Sequence, residues 1–439
     1  MQRWVPEVLH DSLPNGLQIY FTRVNDLPLA EINVIVDAGI MVEENDEHGV
    51  AYGVNQLLLA GSSNRTGAMI SNYLAQLGSI VLPYTHYDYS QLYAKTLSKN
   101  FSATLGVIAD AVSTPKFPEQ ELLRLQRDAA LRLFRHSSSG EKATIAAVQS
   151  LCGESSAMSR TLLPTEEEVQ ALTLDQLHAF HSAWYQPQRT TVIITGNLDY
   201  RFIRTALIEA FGKWERGTAT SQEQSFHGTM PLGTNKPVLL LADTTTPRGL
   251  AYFRMGCRIG ARNGRDFAAL MLLNSILGDG AESMLRKTLW GNHLISPNFS
   301  TTVAYSRDCS YFMISGSSSP MMTDSVLQSV DDMLVDIARH GVGEGALSAA
   351  REAMLAQDAI TFASNRNLQS LLKEAVVYGI PVQVQFAVNE TIRKVSVDDI
   401  QRVAREILQP DKMETVILGD AERIKPLIDA TGRTALVRH

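Results

Sequence analysis

The chain repeats itself, and the repeat limits what it can fold into. Thr173-Leu174-Asp175-Gln176-Leu177, a Gln186-Pro187 break and Val192-Ile193-Ile194-Thr195-Gly196-Asn197 form the first copy. Ser396-Val397-Asp398-Asp399-Ile400, Gln409-Pro410 and Thr415-Val416-Ile417-Leu418-Gly419-Asp420 form the second, 223 residues later at both ends. Each copy reads as a helix with a hydroxyl N-cap residue, a proline break and an apolar strand ending at glycine. Agreement in register over 25 positions argues for two similar domains rather than coincidence. A chain of 439 residues has room for two. Residues 215–236 are polar and rich in Gly, Ser and Thr without periodicity, the composition of a linker. The expected organisation is therefore residues 1–214, a linker 215–236 and residues 237–439. The fold class is α+β, each domain a mainly antiparallel sheet packed with helices.

Inside the first half, Leu17 to Phe21 follows the turn signal Pro14-Asn15-Gly16, and Leu29 to Ala38 returns the chain, which predicts a hairpin. A helix begins near Gly49 and a second covers Ala68 to Leu77. Gly78 to Tyr84 and Ser90 to Leu97 read as strands. A helical stretch from Phe101 through Arg135 is interrupted at Pro115 and Pro118. More helix is expected over 165–184, a strand over Thr190 to Thr195 and a helix over Tyr200 to Phe211. After the linker the pattern restarts with strands Val238 to Asp243 and Leu250 to Ile259 around a turn.

Composition excludes several functions. A net charge of -7 argues against a general nucleic-acid binder. No apolar run reaches membrane-spanning length. Cys152, Cys257 and Cys309 are odd in number and widely spaced, which suggests neither a disulfide framework nor a zinc-ligand pair. The first residues, Met1-Gln2-Arg3-Trp4-Val5-Pro6, lack the apolar core of a signal peptide. The expected location is cytoplasmic for the chain as given, or periplasmic where a signal has been removed. Asn64, Asn298 and Asn389 lie in three-residue sequons, which are weak evidence alone. No Gly-x-Ser-x-Gly elbow occurs.

The most informative stretch is Gly49 to Ser62. Val50, Val54, Leu57 and Leu58 recur at helical spacing, and Tyr52, Asn55 and Gln56 share one face at i, i+3 and i+4. That pattern alone describes a half-buried helix whose amides meet backbone groups. The frame Gly49-x-Ala51, Leu57, Gly61-Ser62, placed after Asp37-Ala38-Gly39, resembles the zinc helix of the pitrilysin/insulinase peptidase family. In those inverzincins the frame carries His-x-x-Glu-His, in which two His bind zinc and the Glu activates the metal-bound water. By that resemblance Tyr52 stands at the first His, Asn55 at the Glu and Gln56 at the second His. The run Phe117-Pro118-Glu119 through Arg132 resembles the stretch that brings the third ligand, a Glu. Leu133 stands at that position, 77 residues after Gln56. The resemblance therefore implies a non-catalytic member, with no zinc in this chain.

Other residues carry two readings each. Tyr84, Tyr87, Tyr89 and Tyr93 lie where family members place an edge strand that pairs with peptide, and the commoner meaning of such a cluster is an aromatic face packing on the domain. Leu277-Gly278-Asp279-Gly280 through Arg286 resembles the family's glycine-rich loop, whose Arg reaches substrate. The Tyr expected seven residues on is His293 here, and Ser296 takes its place if the stretch is about three residues longer. Gly278, Gly280, Arg286, Tyr84 and Tyr89 are the candidate substrate-binding residues, with Arg286 otherwise a surface arginine. Arg124, Arg127, Arg132 and Arg135 fall near one helix face, which suits solvent or an acidic partner. His178 and His181, at i and i+3, read as a solvent-facing pair with no third ligand nearby.

Half-length members of this family act as pairs of chains enclosing a chamber, and some pairs combine one zinc-bearing chain with one that lacks zinc. The resemblance implies a non-catalytic subunit of a two-chain zinc endopeptidase that binds peptide and completes the chamber. Zinc is expected in a homologous partner, with a homodimer as the other pairing. The alternative is a structural member of the family with no part in proteolysis.

Overall fold

Two six-stranded sheets carry the repeat. The structure is a computed structural model describing residues 7–24, 27–44, 47–133, 138–217, 238–242, 249–262, 266–278, 283–291, 299–362 and 365–438. Most of the expected linker lies outside the described residues. The first half runs β1 (Val8–Ser12), β2 (Gln18–Arg23), β3 (Leu29–Val36), α1 (Val50–Leu57), α2 (Gly67–Leu77), β4 (Ile80–Thr85), β5 (Ser90–Leu97), α3 (Phe101–Ser113), α4 (Glu119–Leu133), α5 (Ser139–Cys152), α6 (Glu166–Ala171), α7 (Leu174–Trp184), β6 (Thr190–Gly196) and α8 (Tyr200–Phe211). The second runs β7 (Val238–Ala242), β8 (Ala251–Arg258), α9 (Phe267–Gly278), α10 (Met284–Gly291), β9 (Ser300–Ala304), β10 (Tyr311–Ser318), α11 (Thr323–His340), α12 (Glu344–Phe362), α13 (Asn365–Val377), α14 (Val382–Phe386), α15 (Val388–Lys394), α16 (Val397–Ile407), β11 (Glu414–Gly419), α17 (Ala421–Ala430) and β12 (Ala435–Arg438).

The sheet orders are β1-β2-β6-β3-β5-β4 and β12-β7-β11-β8-β10-β9. Five strands of each follow one plan, with β6 and β11 in equivalent places. These are the strands of the sequence repeat, preceded by α7 and α16. Both helices open with capping boxes, Thr173 with Gln176 and Ser396 with Asp399. Each sheet mixes parallel and antiparallel pairs. β6 is parallel to β2, and β7 is parallel to both β11 and β12.

The expected hairpin is not formed. β2 and β3 lie on either side of β6 rather than against each other. The reason is burial. β6 is buried along nearly its whole length on both faces, and such a strand belongs in the centre of a sheet. Turn residues between β2 and β3 carry no information about a strand arriving from far downstream.

The residues divide into two compact units. One comprises Met1–Arg135, Thr161–Gln224 and Ala359–Phe386, the other His136–Arg160, Ser225–Asp358 and Ala387–His439. In the first unit Ala30, Ile32, Val34 and Val36 of β3 join Leu92, Val192, Ile194, Phe101 and Leu177 in the main core. The alternate residues Glu31, Asn33 and Ile35 lie on the other face, which α13 covers. Leu368, Leu372 and Val377 of α13 pack there with Ile35, Tyr89 and Ile193. The Gln369 amide donates to the backbone oxygens of Glu31, at 2.7 Å, and Ile193, at 3.3 Å.

The second unit repeats the arrangement with α5. Phe253 and Met255 of β8 face the core, while Arg254 and Gly256 lie on the side of α5. Arg254 donates to the Gly140 oxygen at 2.6 Å and to the Thr144 hydroxyl at 2.8 Å. Burial lowers its basicity to about 10, so it stays charged at neutral pH. A Cβ on Gly256 would lie 2.7 Å from the Phe312 oxygen and 3.1 Å from Leu151, so the helix approaches only because the residue is glycine.

The cysteines correct the sequence expectation. Cys152, at the end of α5, is bonded to Cys309, just before β10, with Cα atoms 5.9 Å apart. The two are 157 residues apart in sequence, and only the docking of α5 on this sheet brings them together. Asp308 reinforces the junction, accepting from the Ala157 amide at 3.0 Å and from the Ser156 hydroxyl. Cys257 is a buried free thiol, and burial pushes its pKa up to about 12, which makes it inert. Alkylation of denatured, unreduced protein should therefore label one thiol, at Cys257. Paired Cys152→Ser and Cys309→Ser substitutions should lower stability by about 2–5 kcal/mol in denaturant unfolding.

Candidate functional site

The helix singled out by the sequence, α1, is held at its start by two devices. Gly49 precedes it with φ 85°, in the left-handed region where a side chain is strained. Glu43 then accepts from the Ala51 amide at 3.0 Å, so a carboxylate satisfies one of the free N–H groups at the helix N-terminus. Val50, Ala51, Val54 and Leu57 bury in the core. Tyr52 is 8% exposed, Asn55 is 1% exposed and Gln56 is half-buried. α1 packs on β4, and the contact is specific: the Asn55 amide donates to the Thr85 hydroxyl at 3.2 Å. Asn55 Oδ1 is buried with no hydrogen-bond partner. Leu133 is the last residue of α4, and its side chain lies outside the described residues.

This donor set does not fit zinc. Zinc takes imidazole, thiolate or carboxylate. A phenol, two neutral amides and a hydrocarbon supply neither the charge nor the basicity that the ion requires. A buried Asn at position 55 also has no proton to exchange near neutral pH, so it cannot serve as a general base. Its amide ties the helix to the strand.

β4 is the outermost strand of its sheet, and the hydrogen bonds reveal which backbone groups it leaves open. The Ser98 amide bonds Pro28 O and the His86 amide bonds Tyr89 O. Together with the pairing registers, these bonds set the alternation of antiparallel hydrogen-bonded pairs. Ser90, Leu92 and Ala94 of β5 bond toward β3, so Gln91, Tyr93 and Lys95 bond toward β4. Their partners Tyr84, Leu82 and Ile80 are then satisfied. Val81, Pro83 and Thr85 point their backbone groups outward, and Pro83 contributes only a carbonyl. The side chains of Ile80, Leu82 and Tyr84 share the face of Tyr93 and Lys95, opposite the side of α1. Ile80 is 56% exposed and Leu82 is 40% exposed, unusual for apolar residues on a sheet edge.

The candidate substrate residues belong to both units. Tyr84 is half-buried on β4. Tyr89 is buried after the turn, stacked on His86 at 4.3 Å, with Lys373 Nζ 5.5 Å from its ring. Tyr93 bonds Glu31, and Arg366 lies 5.8 Å over its ring. Burial raises the Glu31 carboxyl above its usual range, against the lowering effects of Tyr93, Lys95 and Arg366. The turn of residues 86–89 is pinned by Gly39, where a Cβ would lie 2.4 Å from the oxygens of His86 and Tyr87. In the second unit Gly278 ends α9, and a Cβ there would lie 2.3 Å from the Thr301 amide. Arg286 lies on α10, its amide donating to the Ser283 hydroxyl at 3.4 Å. Gly280, His293 and Ser296 lie outside the described residues. Tyr305 packs on Phe267 at 5.7 Å.

Two surface expectations also resolve. Arg124 is exposed and pairs with Glu121 at 3.8 Å, while the side chains of Arg132 and Arg135 lie outside the described residues. The histidine pair is not solvent-facing. His178 is exposed, but His181 donates to Val112 O at 2.8 Å and stacks on Tyr185 at 4.8 Å. Helical spacing placed both on one face, and the neighbouring α3 covers only one of them. Sequence reasoning missed Thr85, Pro83, Ile80 and Leu82. Ile80-Val81-Leu82-Pro83 is a continuous apolar run, and its one sign of lying on an edge is Pro83, which cannot donate to a second neighbouring strand.

Residues 23–166 match the model of the insulinase family, peptidase family M16, and residues 171–354 match the peptidase M16 inactive domain. This chain belongs to peptidase family M16. An uncharacterized zinc protease of Mycobacterium leprae is 22% identical over 405 residues, spanning 91% of this chain and 89% of that protein. Mitochondrial-processing peptidase subunit beta of Lentinula edodes is 22% identical over 435 residues, spanning 94% and 90%. The fold matches the crystal structure of a peptidase M16 inactive domain from Pseudomonas fluorescens with TM-score 0.83, 20% identity and 94% and 98% coverage. A protease from Helicobacter pylori also gives 0.83, at 17% identity and 94% and 100% coverage. Among the described residues of this M16 chain, no group of three or more His, Cys, Asp and Glu is placed to hold a metal, and no helix is long and apolar enough to cross a membrane.

Two half-buried histidines of the M16 chain predict its acid sensitivity. Burial, aided by Lys373, lowers the pKa of His86 to about 4. Burial, aided by His178 and opposed by the bond to Val112, lowers that of His181 to about 4. Unfolding returns each to about 6.5, so the unfolded chain binds more protons between these values. Stability should fall from about pH 6.5 to 4, by at most about 1.4 kcal/mol per pH unit for each histidine. Denaturant midpoints across that range test this, and His181→Gln should flatten the slope.

Proposed function

We propose that this chain is the non-catalytic, peptide-binding subunit of a two-chain zinc endopeptidase. The observation that carries the reading is the exchange on α1. Tyr52, Asn55 and Gln56 hold the frame of the family's zinc helix without a zinc donor or a base, and Leu133 stands where the third ligand belongs. In their place Asn55 binds Thr85 and fixes α1 to an edge strand with open backbone groups. An extended peptide added to β4 gains those groups as partners. Tyr84 borders that edge and Tyr89 supports the turn behind it, while Gly278, Gly280 and Arg286 of the second unit are proposed as further substrate-binding residues. The domain organisation is proposed as a repeat of residues 1–214 and 237–439 about the linker.

Zinc and hydrolysis would come from a homologous chain with an intact His-x-x-Glu-His. Relatives named mitochondrial-processing peptidase subunit beta support a reading in which chains of this family work as subunits. Of the two expected locations, cytoplasmic as given or periplasmic where a signal has been removed, the Cys152–Cys309 disulfide favours the second, because such bonds persist in oxidising compartments. The second reading is a structural subunit with no part in proteolysis. Pro83 favours it, because a proline on an outer edge discourages strand addition.

The test measures zinc content and peptidase activity for the chain alone and mixed with the zinc-bearing homologue. No zinc and no activity alone, with strong stimulation of the partner, is the expected result. Stoichiometric zinc with chelator-sensitive cleavage by this chain alone would sink the reading, and a stable complex without stimulation would favour the structural one. Tyr52→His/Asn55→Glu/Gln56→His should bind zinc weakly, and adding Leu133→Glu should tighten binding by at least about tenfold, because the triple variant still lacks a ligand.

A further inference from the structure

We infer that the edge of β4 selects extended segments with an apolar side chain at every second residue. This rests on the peptide-binding reading above and names the class of peptide. The outward backbone groups belong to Val81, Pro83 and Thr85, as the bonds Ser98 N–Pro28 O and His86 N–Tyr89 O require. A bound strand therefore meets donors at Val81 and Thr85 and acceptors at all three residues. Its side chains alternate between two environments. Those opposite Ile80, Leu82 and Tyr84 lie beside exposed hydrocarbon and a half-buried ring. Directly opposed cross-strand side chains are close enough to bury one another. Those opposite Val81, Pro83 and Thr85 lie on the side of α1, whose Asn55 already occupies the Thr85 hydroxyl. Apolar residues are therefore favoured at one phase of the alternation and gain nothing at the other.

Proline in the bound segment marks the same alternation. In an antiparallel segment the residues opposite Val81, Pro83 and Thr85 must offer their N–H groups, and the residues between them turn theirs away. Proline is then tolerated where apolar side chains are favoured. In a parallel segment the bonding residues flank those positions, and proline is rejected where apolar side chains are favoured. Either way the two scans share a period of two, and their relative phase reports the orientation of the segment.

Fluorescence anisotropy with fluorescein-labelled peptides of about nine residues tests this on the full chain, alone and with the zinc-bearing homologue. A lysine scan and a proline scan along a Val/Thr-rich parent should each show a two-residue period. Leu82→Lys, a change at an exposed position, should weaken the parent peptide by about tenfold. Pro83→Ala supplies the missing donor and should tighten it by about two- to tenfold. Peptides that bind with no two-residue period, and with no response to Leu82→Lys, would overturn the alternation while leaving the subunit reading intact. No binding by any peptide, alone or with the partner, would overturn both. A self-association that Ile80→Lys abolishes, with peptide affinity unchanged, would assign the edge to a second copy of this chain and overturn the proposal.

Discussion

Each sheet has two faces, and both have to be covered. The central strands β6 and β11 are buried on both sides, and bare apolar strands of that kind do not persist in water. One face of each sheet is closed by helices of its own half of the sequence. The other is closed by one helix from the opposite half, α13 over the first sheet and α5 over the second. Leu368, Leu372 and Val377 bury on one sheet, and full burial of such side chains stabilises by about 1.5–3 kcal/mol each. The polar contacts are reciprocal in kind. Gln369 reaches from helix to sheet backbone, and Arg254 reaches from sheet to helix backbone. Both are buried, so removing either partner leaves polar groups without water or a substitute.

That covering leaves one edge open. With α13 over β6 and β3, the outer strands β5 and β4 keep part of the same face accessible, and Ile80, Leu82 and Lys95 stand out from it. Behind β4 lies α1, whose Asn55 donates to the Thr85 hydroxyl. A metal centre needs charged or basic donors in a fixed geometry, and a hydrogen bond between Asn55 and Thr85 needs neither. The strand end is held by an amide and a hydroxyl. Retaining the frame has a physical reason of its own, since Gly49, Ala51 and Leu57 are fitted to the core whether or not zinc is bound.

The legible part of the molecule was the part written in local pattern. The breaks at Pro115 and Pro118, the N-cap at Thr173, the strands on either side of residues 86–89 and the register of the repeat all follow from propensity and periodicity, and the structure has them. The frame Gly49 to Ser62 was legible because buried small residues and a left-handed glycine tolerate few alternatives. The hairpin was misread because β2 and β3 look like neighbours in sequence, and β6 separates them. The cysteines were misread because a 157-residue separation becomes 5.9 Å only when α5 leaves its own half of the sequence. His181 and Tyr89 became packing residues for the same kind of reason: neighbours distant in sequence cover them.

The sequence by itself determined that the chain is a twofold α+β repeat, that it resembles the insulinase-type peptidases, and that residues 52, 55, 56 and 133 are neither imidazole, thiolate nor carboxylate. These are statements about side-chain chemistry and local periodicity, which a linear chain carries in full. Tertiary structure alone decided that β6 lies between β2 and β3, that Val81, Pro83 and Thr85 turn their backbone outward, that Asn55 is bonded to Thr85, and which helix covers which sheet. Each of these depends on strand order and on contacts between distant segments. Such contacts form because a buried strand needs neighbours on both sides, and local pattern does not name them.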